Sequence, residues 1–325
     1  MCTSIAMKWG GGYFGRNMDV EYSFGEQVAV TPRWYPLRFW RQPEQAEHFA
    51  LIGMAHVAGG RPLYAEAANE KGLYMAGLNL PGSAWYEPDP PEGCDAVAPY
   101  ELIPWVLGSC ATLAEVKARL ARFRPLGVPL AAGLPLAPLH WHIADRTGAL
   151  VLEATREGVR LYDDPVGVLT NNPPFPFHQL NLSQYQHLTA RPTENRLAPG
   201  LPLEAFGQGM GAIGLPGDAS PASRYVRAAF CKLNAPDPGG ELERVSDFFH
   251  LLDAVAMVRG SVLTPEGKWD MTTYACCFSA GAGTYYYKTH SNSRLSAVRL
   301  SGADLDGSTV QLFPLCREED VRMLN

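Results

Sequence analysis

Three features of the 325-residue sequence predict an α+β fold. Short alternating or β-branched runs bounded by Gly, Pro, Asn and Asp recur along the chain. Four of them, LHWHIAD, ALVLEAT, VRLYDD and GVLTNN, follow one another with short connections, the pattern of an antiparallel meander rather than of helical crossovers. Helical periodicity appears only in separate blocks between the strands.

In chain order, strands are predicted at 2–9, 12–17, 27–31, 51–57, 73–79, 139–145, 148–154, 158–163, 166–170, 273–279, 283–289, 295–300 and 309–313. GGGYFG lies between the first two and reads as a hairpin turn. No Walker loop or dinucleotide fingerprint is present. TLAEVKARLARF predicts a helix, with Thr112 and Glu115 at capping-box spacing and Leu113, Val116, Leu120 and Phe123 on one face. SPASRYVRAAFCKL offers Ser220 as cap and Pro221 at the first helical position. In ELERVSDFFHLLDAVAMV, Leu242, Val245, Phe249, Leu252 and Ala256 recur at helical spacing.

At 46% hydrophobic and 18% charged, the chain can bury roughly three quarters of its unfolded surface, as one large domain or two modest ones. The balance of 27 basic and 33 acidic residues, with no Lys/Arg run, makes nucleic acid and membrane surfaces poor partners. No apolar stretch reaches the ~20 residues of a membrane span, and residues 1–25 lack a signal-peptide pattern, so a cytoplasmic protein is expected. The seven cysteines include no C-x-x-C pair, which suggests neither a zinc site nor a disulfide framework. Cys276 and Cys277 read as small core residues on opposite faces of a strand. His140 and His142 share one strand face with Ala144, opposite Leu139, Trp141 and Ile143; they read as core or rim histidines, and no metal or other cofactor is expected. Residues 188–221 form a long Pro/Gly-rich connection with two readings: a surface excursion, or an arm reaching a neighbouring subunit.

The chain opens MCTSIAMKW. Removal of Met1 would give Cys2 both a thiol and a free α-amine. An amine with a reference pKa near 7.7–8.0 can take the proton of a thiol near 8.5 without a separate histidine. Such a nucleophile needs a carboxylate to hold the amine, a cation to favour thiolate and donors for an oxyanion. In GRNMD, Arg16 and Asp19 follow Gly15 on a strand that could be the hairpin partner of the first, although the two would also suit a surface ion pair. AGLNLPG and VLTNNPP place Asn79 and Asn171 at strand ends before prolines, where asparagine commonly forms turns. Together with Cys2 they also supply the two convergent donors that a tetrahedral intermediate needs.

MCTSIA, GRNMDVEYSF, NEKGLYMAGLNLPG, VLTNNPPF and GLPGDASPASRYVRAAF, in this order, resemble the choloylglycine hydrolase family, which includes bile salt hydrolases and penicillin V acylases. The resemblance runs from Cys2 to about Tyr285–Tyr287 and implies a single domain over 1–325. It further implies a four-layer αββα sandwich of two mainly antiparallel sheets, of the N-terminal nucleophile hydrolase type. By motif, it implies Cys2 as nucleophile with its own amine as base, Arg16 and Asp19 flanking it, Asn79 and Asn171 serving the oxyanion, and Arg224 completing the site. Asn79, where the penicillin acylases of the family tend to carry tyrosine, favours the bile salt branch. A homotetramer with residues 188–215 as contact is implied as well. For an amphipathic conjugated bile acid, the apolar but Gly/Pro-broken stretches 20–26, 56–64 and 124–141 are the candidate pocket, with Tyr22, Phe24, Val57, Leu130 and Leu134 as lining. The alternatives are a penicillin V acylase, an N-acyl homoserine lactone acylase, or a non-catalytic ligand-binding or redox protein on the same fold.

Overall fold

In the computed structural model, which describes residues 1–131 and 135–325, the chain begins with a fully buried strand, β1 (Cys2–Met7). A turn through Gly10 and Gly12, both at positive φ, returns it as β2 (Tyr13–Val20). β2 runs beyond the predicted 12–17 because Asn17 and Asp19 are buried and paired, so their polarity does not mark solvent. β3 (Gln27–Thr31), β4 (Leu51–Ala58), β5 (Arg61–Asn69) and β6 (Tyr74–Asn79) follow. β5 is absent from the predicted strands: Pro62 interrupts its pattern, but it lies beside the two-residue Gly59–Gly60 turn, where a strand tolerates proline. The stretch 56–64 is therefore a hairpin tip rather than a loop.

Two short strands, β7 (Asp95–Val97) and β8 (Phe123–Pro125), pair in parallel and bracket α1 (Leu102–Leu107) and α2 (Leu113–Leu120). Thr112 caps α2 by accepting from the Glu115 amide. The helix stops before Phe123, which belongs to β8 and packs near Trp105 rather than continuing the helical face. α1 is buried on every side and so carries no amphipathic stripe to read.

β9 (Leu139–Asp145), β10 (Gly148–Thr155) and β11 (Gly158–Asp163) are the predicted meander. β12 (Val168–Leu169) leaves it and pairs with β1. An unpredicted helix, α3 (Phe175–Leu182), comes next, then α4 (Pro221–Asn234), started by Ser220 and Pro221 as expected, and α5 (Glu241–Asp253). α5 buries Val245, Phe248, Phe249 and Leu252, whereas Leu242 is 70% exposed and Ala256 lies past its end. β13 (Val262–Leu263), β14 (Trp269–Ser279), β15 (Thr284–Thr289), β16 (Asn292–Arg299) and β17 (Gln311–Phe313) complete the chain.

One sheet has the order β12-β1-β2-β14-β15-β16 with β13 on β14; the other runs β11-β10-β9-β6-β5-β4-β3-β17. Helices α4 and α5 cover the first and α1 and α2 the second, giving four layers, αββα. Cys276 faces the second sheet at 3.6 Å from Glu66, and alternation turns Cys277 to the helix side; both are fully buried. The stretch 188–215 holds little regular structure and exposes Leu197 and Phe206 almost completely. Among the described residues, no helix is long and apolar enough to cross a membrane.

Candidate active site

The hairpin register decides what surrounds Cys2. Cys2 pairs with Met18 and Ser4 with Arg16, so these four side chains share the face toward the second sheet. Thr3, Asn17 and Asp19 take the face toward α4 and α5. Cys2 is only 3% exposed and belongs to the core between the layers.

Between the sheets, the Arg16 guanidinium donates to Cys2 Sγ and to the Gly77 carbonyl (2.6 Å), and stands 3.6 Å from Glu66 Oε2. Glu66 accepts hydrogen bonds from Tyr274 (2.8 Å) and Tyr285 (2.6 Å). Burial works against the charge of Arg16, but the facing Cys2 sulfur and the Glu66 carboxylate help to outweigh it and hold its pKa above the ordinary value. The surface ion pair that the sequence left open is excluded, since Arg16 and Asp19 are wholly buried on opposite faces.

On the helix side, Arg224 of α4 donates to the Cys2 carbonyl (2.5 Å), Thr3 Oγ1 (2.6 Å) and Asn171 Oδ1 (2.7 Å). Its Nη1 lies 3.9 Å from Asp19 Oδ2. Burial pushes the Arg224 pKa down and that of Asp19 up, each partly offset by the other's charge. Asp19 Oδ1 accepts from Thr272 (2.6 Å), while Oδ2 has no hydrogen-bond partner among the described residues.

Asn171 follows β12 and points at the nucleophile. Its Oδ1 accepts from the Cys2 amide (2.8 Å), and its Nδ2 donates to the Asn79 carbonyl (2.8 Å), leaving one amide hydrogen uncommitted among the described residues. Asn172 turns away, donating to the Pro81 carbonyl (2.9 Å) and Ser83 Oγ (3.1 Å). The Met1 ammonium donates to the Asp19 carbonyl and to Asp270 (3.2 Å).

All six residues predicted for the chemistry therefore converge, Asn79 through its backbone. The predicted lining is more scattered. Tyr22 is 55% exposed, Phe24 packs against the inter-sheet core, Val57 is half-buried near the β4–β5 tip, Leu130 is exposed, and Leu134 lies outside the described residues. The 20–26 loop does lean on the β4–β5 hairpin, with Gly25 against His56. Sequence reasoning missed Glu66, Thr3, Thr272 and Asp270. Glu66 sits on the strand hidden by Pro62, and Asp270 and Thr272 precede residue 273, where the strand pattern becomes legible.

The family described as linear amide C–N hydrolases, choloylglycine hydrolase family, matches residues 2–313. A bile salt hydrolase/transferase of Lactiplantibacillus plantarum is 40% identical over 325 residues, the whole of both chains. One from Clostridium perfringens is 36% identical over 329 residues, again the whole of both. Among solved structures, the C2A mutant of the conjugated bile acid hydrolase from Clostridium perfringens superposes with a TM-score of 0.92 at 36% identity, covering both chains completely. Penicillin V acylase from Agrobacterium tumefaciens, at 18% identity and a TM-score of 0.75 over 96% of this chain and 90% of its own, shares the fold.

Proposed function

Since the chain belongs to the choloylglycine hydrolase family of linear amide C–N hydrolases, we propose that it cleaves the amide bond of glycine- or taurine-conjugated bile acids through a thioester on Cys2. The observation that carries the reaction is that three atoms of one residue each have a buried partner: the Cys2 sulfur has Arg16, its nitrogen Asn171, and its carbonyl Arg224.

Removal of Met1 turns the Cys2 amide into an amine in the same place, facing Asn171 Oδ1. That amine takes the thiol proton while Arg16 favours the thiolate, and the sulfur attacks the substrate carbonyl. The oxyanion is received by the free amide hydrogen of Asn171 together with an N–H of Asn79, whose carbonyl oxygen only accepts. Collapse breaks the C–N bond, the protonated amine gives its proton to the departing glycine or taurine nitrogen, and water, deprotonated by the same amine, hydrolyses the thioester. Asp19, whose Oδ2 lies 3.9 Å from Arg224, serves as counter-charge to the amine–Arg224 cluster.

The substrate assignment draws on the activities for which the full-length relatives are named. Glycocholate, taurocholate, penicillin V and acyl homoserine lactones, assayed side by side with Met1-free protein, test it. The conjugated bile acids should turn over fastest. Preference for penicillin V would move the substrate, and full activity with Met1 retained would sink the mechanism. For assembly, we propose that 188–215 contacts a neighbouring subunit in a homotetramer, in keeping with its exposed Leu197 and Phe206; a monomer by light scattering at micromolar concentration refutes that.

A further inference from the structure

Three buried side chains outside the reacting set meet at the turn that carries Asn171. β12 ends at Leu169, so the carbonyls of Thr170 and Asn171 have no sheet ladder to pair with, and both residues are buried. Each carbonyl instead faces an imidazole nitrogen: His140 Nε2 lies 3.0 Å from the Thr170 oxygen, and His178 Nε2 lies 2.8 Å from the Asn171 oxygen. A carbonyl only accepts, so each of these nitrogens carries a hydrogen and donates.

The two histidines are themselves tied together. Glu153 Oε1 lies 2.9 Å from His140 Nδ1 and also accepts from the Phe175 amide (2.9 Å), the first residue of α3. α3 in turn carries His178, whose ring stacks on Tyr225 with centroids 4.9 Å apart. Tyr225 is the neighbour of Arg224 on α4, and Arg224 fixes Asn171 Oδ1. Burial keeps the His178 ring below its ordinary pKa, which suits a neutral donor.

From this closed chain of contacts we infer that His178, with His140 and Glu153 behind it, is a positioning residue: it holds the Asn171 backbone so that the side-chain amide meets the substrate carbonyl at Cys2. Arg224 fixes one end of Asn171 and His178 the other. His140, which sequence alone marks as a core histidine, has a directed task, and the ring nitrogen that matters is Nε2. The inference rests on the reading of Asn171 as an oxyanion donor. Displacement of a positioned catalytic group by even ~1 Å can cost on the order of 10²-fold in rate, so a small shift of the turn is measurable.

The test compares kcat and KM for His178→Leu, His178→Gln and His178→Asn, each alone and combined with Asn171→Ala, on the best substrate of the amide panel. Gln places an amide N–H near the Nε2 position and Asn does not. His178→Leu should lower kcat by roughly tenfold or more with KM changed less than about twofold, and His178→Gln should recover most of it where His178→Asn does not. In the Asn171→Ala background the Leu change should cost less than about twofold, because the group it positions is gone. Full, independent losses in that background, or equal rates for Gln and Asn, overturn the inference while leaving Asn171 catalytic. An Asn171→Ala enzyme with undiminished kcat removes the oxyanion reading and this inference together. If the Leu variant does not fold, the Gln/Asn pair alone decides between positioning and a merely structural role.

Discussion

The two faces of the β1–β2 hairpin hold one arginine each against Cys2, and they hold them differently. Arg16, between the sheets, touches the sulfur and is matched by Glu66, which in turn accepts from two tyrosine hydroxyls of the β14–β15 hairpin. Arg224, under the helices, touches the Cys2 carbonyl, Thr3 and Asn171, with Asp19 as its counter-charge. Negative neighbours raise the pKa of Arg16; desolvation dominates for Arg224 and lowers it. On the proposed mechanism, the inner face receives the negative charge on sulfur and the outer face fixes backbone and amide geometry. The reaction needs both, since a thiolate without a positioned acyl group does not turn over.

The broadest break of the contrast is loss of the atom between the two faces. Cys2→Ala should take amide hydrolysis below detection, with a stability cost of only about 1 kcal/mol for one small buried side chain. Cys2→Ser should be nearly as inactive, because a hydroxyl yields its proton far less readily. Rate assays beside thermal melts check this, and substantial turnover by Cys2→Ala would refute the nucleophile.

Next in size, the arginines should separate by what they act on. Arg16→Met leaves Glu66 unpaired and Arg224→Met leaves Asp19 unpaired, so each should destabilise by about 3–5 kcal/mol. Alkylation of Cys2 by iodoacetamide at fixed neutral pH should slow by roughly tenfold or more for Arg16→Met, because among the described residues only that cation touches the sulfur. For Arg224→Met it should stay within about threefold while amide turnover collapses. Equal alkylation losses would erase the division of labour.

How far the sequence could reach follows from the same geometry. The MCTSIA and GRNMD strands, the Ser220–Pro221 helix start and the asparagine turns are local signals, and each sits where its motif placed it. The partners that complete them are not local. Glu66 is 50 residues from Arg16 in the chain and on another sheet, and Tyr274 and Tyr285 are more than 200 residues from Glu66. No periodicity within a window could pair them. The all-apolar α1 and the strand after Gly60 escape pattern reading for a related reason: burial on every side, or a proline at a hairpin end, removes the alternation on which such reading depends.

Asn171→Ala sharpens the outer face. It should lower kcat by about 10²–10³, or some 3–4 kcal/mol, with a much smaller change in KM. Because Oδ1 takes hydrogen bonds from both the Cys2 nitrogen and Arg224, the variant should also lose about 1–3 kcal/mol of stability, more than a turn asparagine would. A melting-temperature drop without a rate loss would leave Asn171 a purely structural residue.

The smallest effect belongs to Asn172, and it is the control for everything said about its neighbour. It is the same residue type in the same turn, yet its amide donates to the Pro81 carbonyl and Ser83, and its Oδ1 has no partner among the described residues. Among those residues no hydrogen bond links it to Cys2, Arg224 or Asn79, whereas Asn171 contacts all three. Asn172→Ala removes two neutral hydrogen bonds at the rim of the site, worth about 1 kcal/mol of stability. Its kcat should stay within about threefold of the parent, since tying down the 81–83 turn does not touch the reacting atoms. If Asn172→Ala instead matched the rate loss of Asn171→Ala, the integrity of the turn would set the rate, and the orientation of the Asn171 amide would lose its claim to the oxyanion.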